Sequence, residues 1–351
     1  MSGLRAPGFW RRDGLVPLLL APIAAVWGAV AAHRMAAPPR ARASLPVVVV
    51  GNLTAGGAGK TPTVLALIDH LRRRGFAPAV LSRGYGGSDR GPLLVDPAAD
   101  TAHRVGDEPL LLAARAPTVV ARDRAAGLPL VARSGAEILI LDDGFQTTAV
   151  EKDLRIVVVD AGSGIGNGRV LPAGPLRAPL GDQLDRTDLL VVVESGEPPA
   201  PSTLALRAEA HRRGLPVVAA RLVARAPEAV AGRRVLAHAG IGRPEKFAAS
   251  LAAAGADVVA LEGFADHRPL GRAEAERLSA RAAAEGLLPV TTEKDAARAR
   301  GAHDPAVRRL FEASVVFPVD LVFEEVGPID RAVDAAIGRF RSRGGELSAR
   351  R

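Results

Sequence analysis

The segment Val47–Pro62 constrains the fold of this chain more than any other, because it reads as a buried strand running straight into a phosphate-binding loop. Val47 to Val50 are β-branched throughout, which suits a strand covered on both faces of a parallel sheet. The loop that follows is Thr54, Ala55, Gly56, Gly57, Ala58, Gly59, Lys60 and Thr61. Its glycines let successive N–H groups converge on one anion. Lys60 supplies a mobile positive charge for the β- and γ-phosphates, and the Thr61 hydroxyl is a candidate Mg²⁺ ligand. Residues 63–74 have helical periodicity, so the positive end of a helix dipole faces the same anion. The loop is a variant: Thr54 stands where the strict G-x-x-x-x-G-K-[ST] pattern has glycine.

The rest of the chain alternates apolar strands with helical stretches. Expected strands are 77–82, 118–121, 137–141, 155–160, 189–194 and 217–222, with helices over 109–115 and 122–134. This predicts a P-loop NTPase-like, doubly wound, mostly parallel α/β sheet. The proline-rich 197–202 reads as a surface loop. A second alternating set follows, with strands 234–239, 257–261, 288–292 and 314–319 and helices 244–254 and 272–285. The expected division is an N-terminal membrane helix region (1–40), a P-loop domain (41–230), a smaller α/β domain (231–325), and a C-terminal helix with a basic tail (326–351).

Composition narrows the partners. With no cysteine, the chain has no disulfide, no thiolate metal site and no cysteine nucleophile. A net charge of +8 favours an anionic partner. One Tyr and two Trp are few for the aromatic platforms of single-strand binding, so nucleic acid is not expected and an anionic membrane surface is. The uncharged run Leu15–Ala32, with arginine on both flanks, would reach about 27 Å as a helix. A cleaved signal peptide and a buried core helix are the alternatives, but export would strand a nucleotide site outside the cytoplasm.

Other candidate residues sit where such a sheet puts its chemistry, at the carboxyl ends of strands. An apolar strand ending in Asp142 and Asp143 is the usual second half of a P-loop site, where a carboxylate holds Mg²⁺; the alternative is a cap for the next segment. Ser82-Arg83-Gly84-Tyr85-Gly86 reads either as a flexible loop or as a substrate loop carrying Arg83. Asp107 opens a helix and by itself could be only an N-cap. His267 lies in a loop after a strand, as a structural or a catalytic histidine.

Taken in order, the motifs resemble those of the tetraacyldisaccharide 4'-kinase family. They are Gly51-Asn-Leu-Thr-Ala-Gly-Gly-Ala-Gly-Lys-Thr-Pro62, Ser82-Arg-Gly-Tyr-Gly86, Gly106-Asp-Glu-Pro109 and Asp142-Asp-Gly-Phe-Gln146, followed by Gly166-Asn-Gly-Arg169, Leu171-Pro-Ala-Gly-Pro-Leu-Arg177, Gly240-Ile-Gly, Asp266-His267 and Thr292-Glu-Lys-Asp295. The resemblance runs to about residue 325. It implies transfer of the γ-phosphoryl of ATP, with Mg²⁺, to the 4'-hydroxyl of a membrane-embedded tetraacylated disaccharide 1-phosphate, giving lipid IVA in lipid A biosynthesis. The setting implied is the cytoplasmic face of the bacterial inner membrane, with the N-terminal helix as anchor; a monomer is expected. By motif matching, Asp107 would be the base, His267 its partner, Lys60 the phosphoryl stabiliser, and Thr61, Asp143 and Asp142 the metal set. Asn52, Arg83 and Arg177 would contact substrate or phosphate. Two positions depart from the family pattern: Thr147 stands for a usual His, and Ala178 for a usual Glu. Rival readings are a partitioning-type P-loop switch, which would want Lys where the chain has Ala55, and a nucleotide-dependent nucleic-acid binder.

Overall fold

The computed structural model describes residues 7–194, 196, 198–265 and 268–344. The valine run forms β1 (Val47–Asn52), and the following strands are β2 (Pro78–Ser82), β3 (Leu93–Leu94), β4 (Thr118–Val120), β5 (Ile138–Asp142), β6 (Leu154–Asp160), β7 (Leu189–Glu194) and β8 (Val217–Ala224). Next come β9 (Arg234–Ala239), β10 (Asp257–Gly263), β11 (Leu288–Thr292), β12 (Val315–Phe317) and β13 (Val319–Phe323). Two sheets result. The larger has nine strands in the order β13-β8-β7-β6-β1-β5-β2-β4-β3, and the smaller has four in the order β10-β9-β11-β12. In the larger sheet β3 and β13 are antiparallel edge strands and the other pairs are parallel.

Strand β1 lies at the centre because each of its residues is buried. Alternation of side chains sends Val47 and Val49 to one face and Val48 and Val50 to the other. Helices Lys60–Arg73 and Gly327–Ser342 close the second face with Val64, Leu67, Ile68 and Leu71 and with Ile329, Val333 and Ile337. Burying each such side chain contributes about 1.5–3 kcal/mol, so both faces must be covered for the central strands to persist. The final helix is thus a core element. Arg339, in the C-terminal region expected to hold a basic tail, lies within this helix and donates from Nε to Asp153 O (2.8 Å).

Two boundaries differ from the sequence reading. The expected strand 314–319 divides into β12, in the small sheet, and β13, which pairs with β8 in the large one. Residues 319–323, assigned on sequence to the smaller unit, therefore return to the larger sheet. The expected loop 197–202 leads at Pro201 into a helix, Pro201–Arg212, whose Leu206 and Ala210 join the first face of the core.

The apolar N-terminal run forms helix Leu15–Ala36, whose most apolar 18-residue window has mean hydropathy 2.1. Leu15, Leu18, Leu19, Ile23, Val26 and Trp27 are exposed, whereas Pro17, Ala24, Gly28 and Met35 are buried against the body. The segment before it is tied down as well: Trp10 Nε1 donates to Pro172 O (3.1 Å), and Asn167 N to Trp10 O (2.7 Å).

Candidate active site

The register of β1 against β5 sets Val50 opposite Asp142, so the P-loop and the acidic pair leave adjacent strand ends together. Lys60 is the first residue of its helix, and Gly59 before it has φ 88° in the left-handed region. A side chain there would be strained, and its Cβ would sit 3.3 Å from Val193 Cγ2. The helix N-terminus and its unbonded N–H groups thereby face the loop, an anion site by geometry.

Asn52 scaffolds this loop. Fully buried, it donates from Nδ2 to Thr54 O (2.7 Å) and Gly56 O (3.1 Å), and its Oδ1 lies 3.4 Å from Lys60 Nζ. Asn52, expected as a substrate contact, thus has an internal role in this structure, its amide donating to P-loop carbonyls. Ala55 likewise directs its N–H to Pro175 O (2.8 Å). Gly56 and Gly57 are exposed, and Ala58 is buried.

Asp143, at φ 49°, lies 3.8 Å from Lys60 Nζ and 3.1 Å from Arg177 Nη1. Burial by itself would raise its pKa, but Lys60, Arg177 and Arg124 overcome that and hold the carboxyl below its ordinary value. Arg177 also donates from Nε to Thr54 O (3.0 Å), joining the acidic pair to the P-loop. Asp142 behaves oppositely. Burial, then the neighbouring Glu108 and Asp143 charges, push its pKa up to about 7 against the pull of Lys60. Its Oδ2 accepts from Ser82 Oγ (3.0 Å), while Oδ1 is buried with no hydrogen-bond partner. An orphaned buried oxygen on Asp142 and a partly exposed carboxylate on Asp143 (side chain 37% exposed) are donors of the chemistry a hard divalent cation takes, and Thr61, next to Lys60, is the third candidate.

Several residues given no role on sequence complete the site. Arg124, the first residue of the helix Arg124–Ala132 that follows β4, is buried and donates from Nη2 to Asp142 O (3.2 Å) and Asp143 O (2.8 Å). Gln146 donates to Asn52 O (2.7 Å). Lys152, whose ammonium burial pulls down to about 7, donates to Phe145 O (2.7 Å) and to Thr147 O. Gln146 lay inside a quoted motif, but Arg124 and Lys152 carried no local signal, since their partners are backbone carbonyls, which leave no mark in the side-chain pattern. At the departure positions, Thr147 Oγ1 accepts from Ala149 N (3.2 Å), and Ala178 is fully buried.

Asp107 opens helix Asp107–Ala113, and Gly106 before it has φ 95°. A Cβ at Gly106 would stand 2.6 Å from Tyr85 O, so glycine is what lets the 83–87 loop pack on this turn. Arg83 itself is exposed. Asp107 is 4% exposed and ion-paired to Arg298 of the smaller unit (2.6 Å), with Glu108 to Lys294 beside it (3.3 Å). At the end of β6, Asp160 binds Arg243 (2.5 Å) and Lys246 from the same unit. His267 lies outside the described residues, so its apposition to Asp107 stays a sequence expectation.

Comparison with known proteins agrees with this layout. The family model described as tetraacyldisaccharide-1-P 4'-kinase matches residues 16–338. A tetraacyldisaccharide 4'-kinase of Methylorubrum extorquens (strain PA1) is 54% identical over 297 residues, covering 84% of this chain and 89% of its own. The enzyme of the same name from a second strain of that species is 51% identical over 338 residues, covering 96% and 100%. The crystal structure of "apo" form LpxK from Aquifex aeolicus in complex with ATP shares the fold at TM-score 0.69 and 24% identity, covering 92% of this chain and 99% of that one. By the extent of these matches, the chain belongs to the tetraacyldisaccharide-1-P 4'-kinase family.

Proposed function

We propose that the chain transfers the γ-phosphoryl of ATP to the 4'-hydroxyl of a tetraacylated disaccharide 1-phosphate, forming the lipid A precursor lipid IVA, with the site residues in the following roles. The observation that carries this reading is the convergence of Lys60, Arg177 and Asp143 beside the P-loop. Phosphoryl transfer asks mainly for positioning and charge neutralisation, and these groups supply both. The P-loop amides and the helix N-terminus hold the phosphates, and Lys60 neutralises charge growing on the transferring group. Thr61, Asp143 and Asp142 would hold Mg²⁺, which when bound would draw charge off the phosphate oxygens. Arg177 orients Asp143 and the loop carbonyl of Thr54.

Asp107 accepts the proton of the sugar hydroxyl as its oxygen bonds to the γ-phosphorus and the bond to the bridging oxygen of ADP breaks. His267 is its partner. The enzyme is read as a monomer working at the anionic cytoplasmic surface where a four-chain lipid resides; the exposed apolar face of helix Leu15–Ala36 and the net charge of +8 support the membrane part of that reading. Each basic residue near such a surface contributes about 1 kcal/mol. The test is incubation with γ-labelled ATP, Mg²⁺ and a lipid A disaccharide 1-phosphate in mixed micelles. Label should enter the lipid at the 4' position; labelled inorganic phosphate with no labelled lipid would reject the kinase reading for a nucleotidase or switch.

A further inference from the structure

We propose that Arg298 is a positioning residue for phosphoryl transfer: a guanidinium held by the smaller unit that aims the Asp107 carboxylate of the larger one. The proposal rests on the reading of Asp107 as the base. Two donors of one guanidinium, Nε (3.2 Å) and Nη2 (2.6 Å), converge on Asp107 Oδ2. The third nitrogen, Nη1, is fixed from behind by Asp295 Oδ1 (2.7 Å) and Gly240 O (3.1 Å). Asp295 is itself anchored, its Oδ2 accepting from Gly240 N (3.0 Å) and from Thr292 Oγ1 (2.7 Å). Thr292 is the N-cap of helix Glu293–Ala299, accepting from Asp295 N (3.1 Å). The Arg298 side chain is 9% exposed and that of Asp107 is 4% exposed.

A planar fork locked on both edges fixes direction as well as charge, which a flexible ammonium could not do. The Asp107 backbone belongs to a helix packed on the large sheet, where Oδ1 accepts from Glu108 N (3.0 Å), whereas Oδ2 is aimed by a splint built on the small one. Alignment of the base therefore depends on the two units meeting. The Thr292-Glu-Lys-Asp295 motif acquires a task by the same geometry, since it builds the splint. An ion pair serving stability alone would not need the second layer of Thr292, Asp295 and Gly240, and a buried pair by itself is weak evidence for stability.

The test compares Arg298→Gln, Arg298→Lys, Asp107→Asn and the double variant Arg298→Gln/Asp107→Asn, with folding followed by thermal unfolding. Misaiming a catalytic group by about 1 Å costs on the order of a hundredfold. Arg298→Gln should accordingly lose at least about tenfold in kcat, with KM for ATP within about threefold. Arg298→Lys should fall between it and the parent. In the Asp107→Asn background, Arg298→Gln should lower kcat no further, because the carboxylate it aims is already gone; a purely structural contribution would persist there. Guanidinium salts added to Arg298→Ala should restore part of kcat. Parental kcat in Arg298→Gln, or in Arg298→Lys if the first variant does not fold, overturns the proposal. Retained activity in Asp107→Asn instead overturns the base reading beneath it, so the two failures are distinguishable.

Discussion

Replacing Asn52 with alanine tests whether a buried amide shapes the P-loop. The side chain donates to Thr54 O and Gly56 O at 2.7 and 3.1 Å, and each such bond has a net value of about 1 kcal/mol. Thr54 O keeps a second donor in Arg177 Nε at 3.0 Å, and Gly56 is exposed, so water can replace the lost donor there. No carbonyl is then left buried and unpaired, which removes the larger penalty. The expected loss is therefore about 2 kcal/mol, taken mainly from the ordered loop. Expressed in nucleotide binding, that is roughly a thirtyfold weaker affinity for ATP. Isothermal titration with ATP·Mg²⁺ and steady-state kinetics measure it, with the thermal midpoint as control. Asn52→Asp should be worse than alanine, because a carboxylate would face the same two carbonyls without protons to offer. Affinity within twofold of the parent in Asn52→Ala would refute the assignment of Asn52 as scaffold and return it to the substrate side.

Lys60→Ala and Asp143→Ala should each lower turnover at least about a hundredfold at saturating ATP and Mg²⁺, through lost charge neutralisation; near-parental turnover in either would sink the metal-assisted site. Deleting residues 1–35 should move the protein to the soluble fraction and also reduce activity on detergent-dispersed substrate, because Trp10 braces the 167–172 loop that continues to Arg177. Unchanged activity would show the segment to be a detachable anchor. His238 is buried with Nε2 2.9 Å from Ser314 Oγ, and burial lowers its pKa to about 4. The unfolded chain thus binds a proton that the fold refuses between about pH 6.5 and 4, so this contribution, about 3 kcal/mol, is full above pH 6.5 and lost as pH falls. Thermal midpoints across that window should flatten in His238→Gln; an unchanged slope would remove His238 as the cause.

The P-loop, the acidic strand end and the βα alternation were legible without a structure because each is local. A β-branched run covered on both faces, glycines before a Lys-Thr helix start, and Asp after an apolar strand are patterns complete within a dozen or so residues. Family motifs extended that reading to Asp107 and Arg177 as expected site residues, and the family itself is shown by the match over residues 16–338. The internal bonds of Asn52 were not legible for a physical reason: nothing in its neighbourhood tells an amide facing solvent from one facing carbonyls two and four residues ahead.

What tertiary structure alone decided are pairings between distant segments. Arg298 meets Asp107 across 191 residues, Trp10 meets Pro172 across 162, and β13 leaves the small sheet to pair with β8. Periodicity reports which face of an element is apolar and is silent on which charged group will stand opposite once two sheets pack. The kinase core was thus determined by sequence, through residues whose chemistry and spacing suffice. How that core is braced, by an N-terminal strap and by an arginine borrowed from the smaller unit, was settled by packing, because ion pairs and edge strands take whatever partner the closed fold presents.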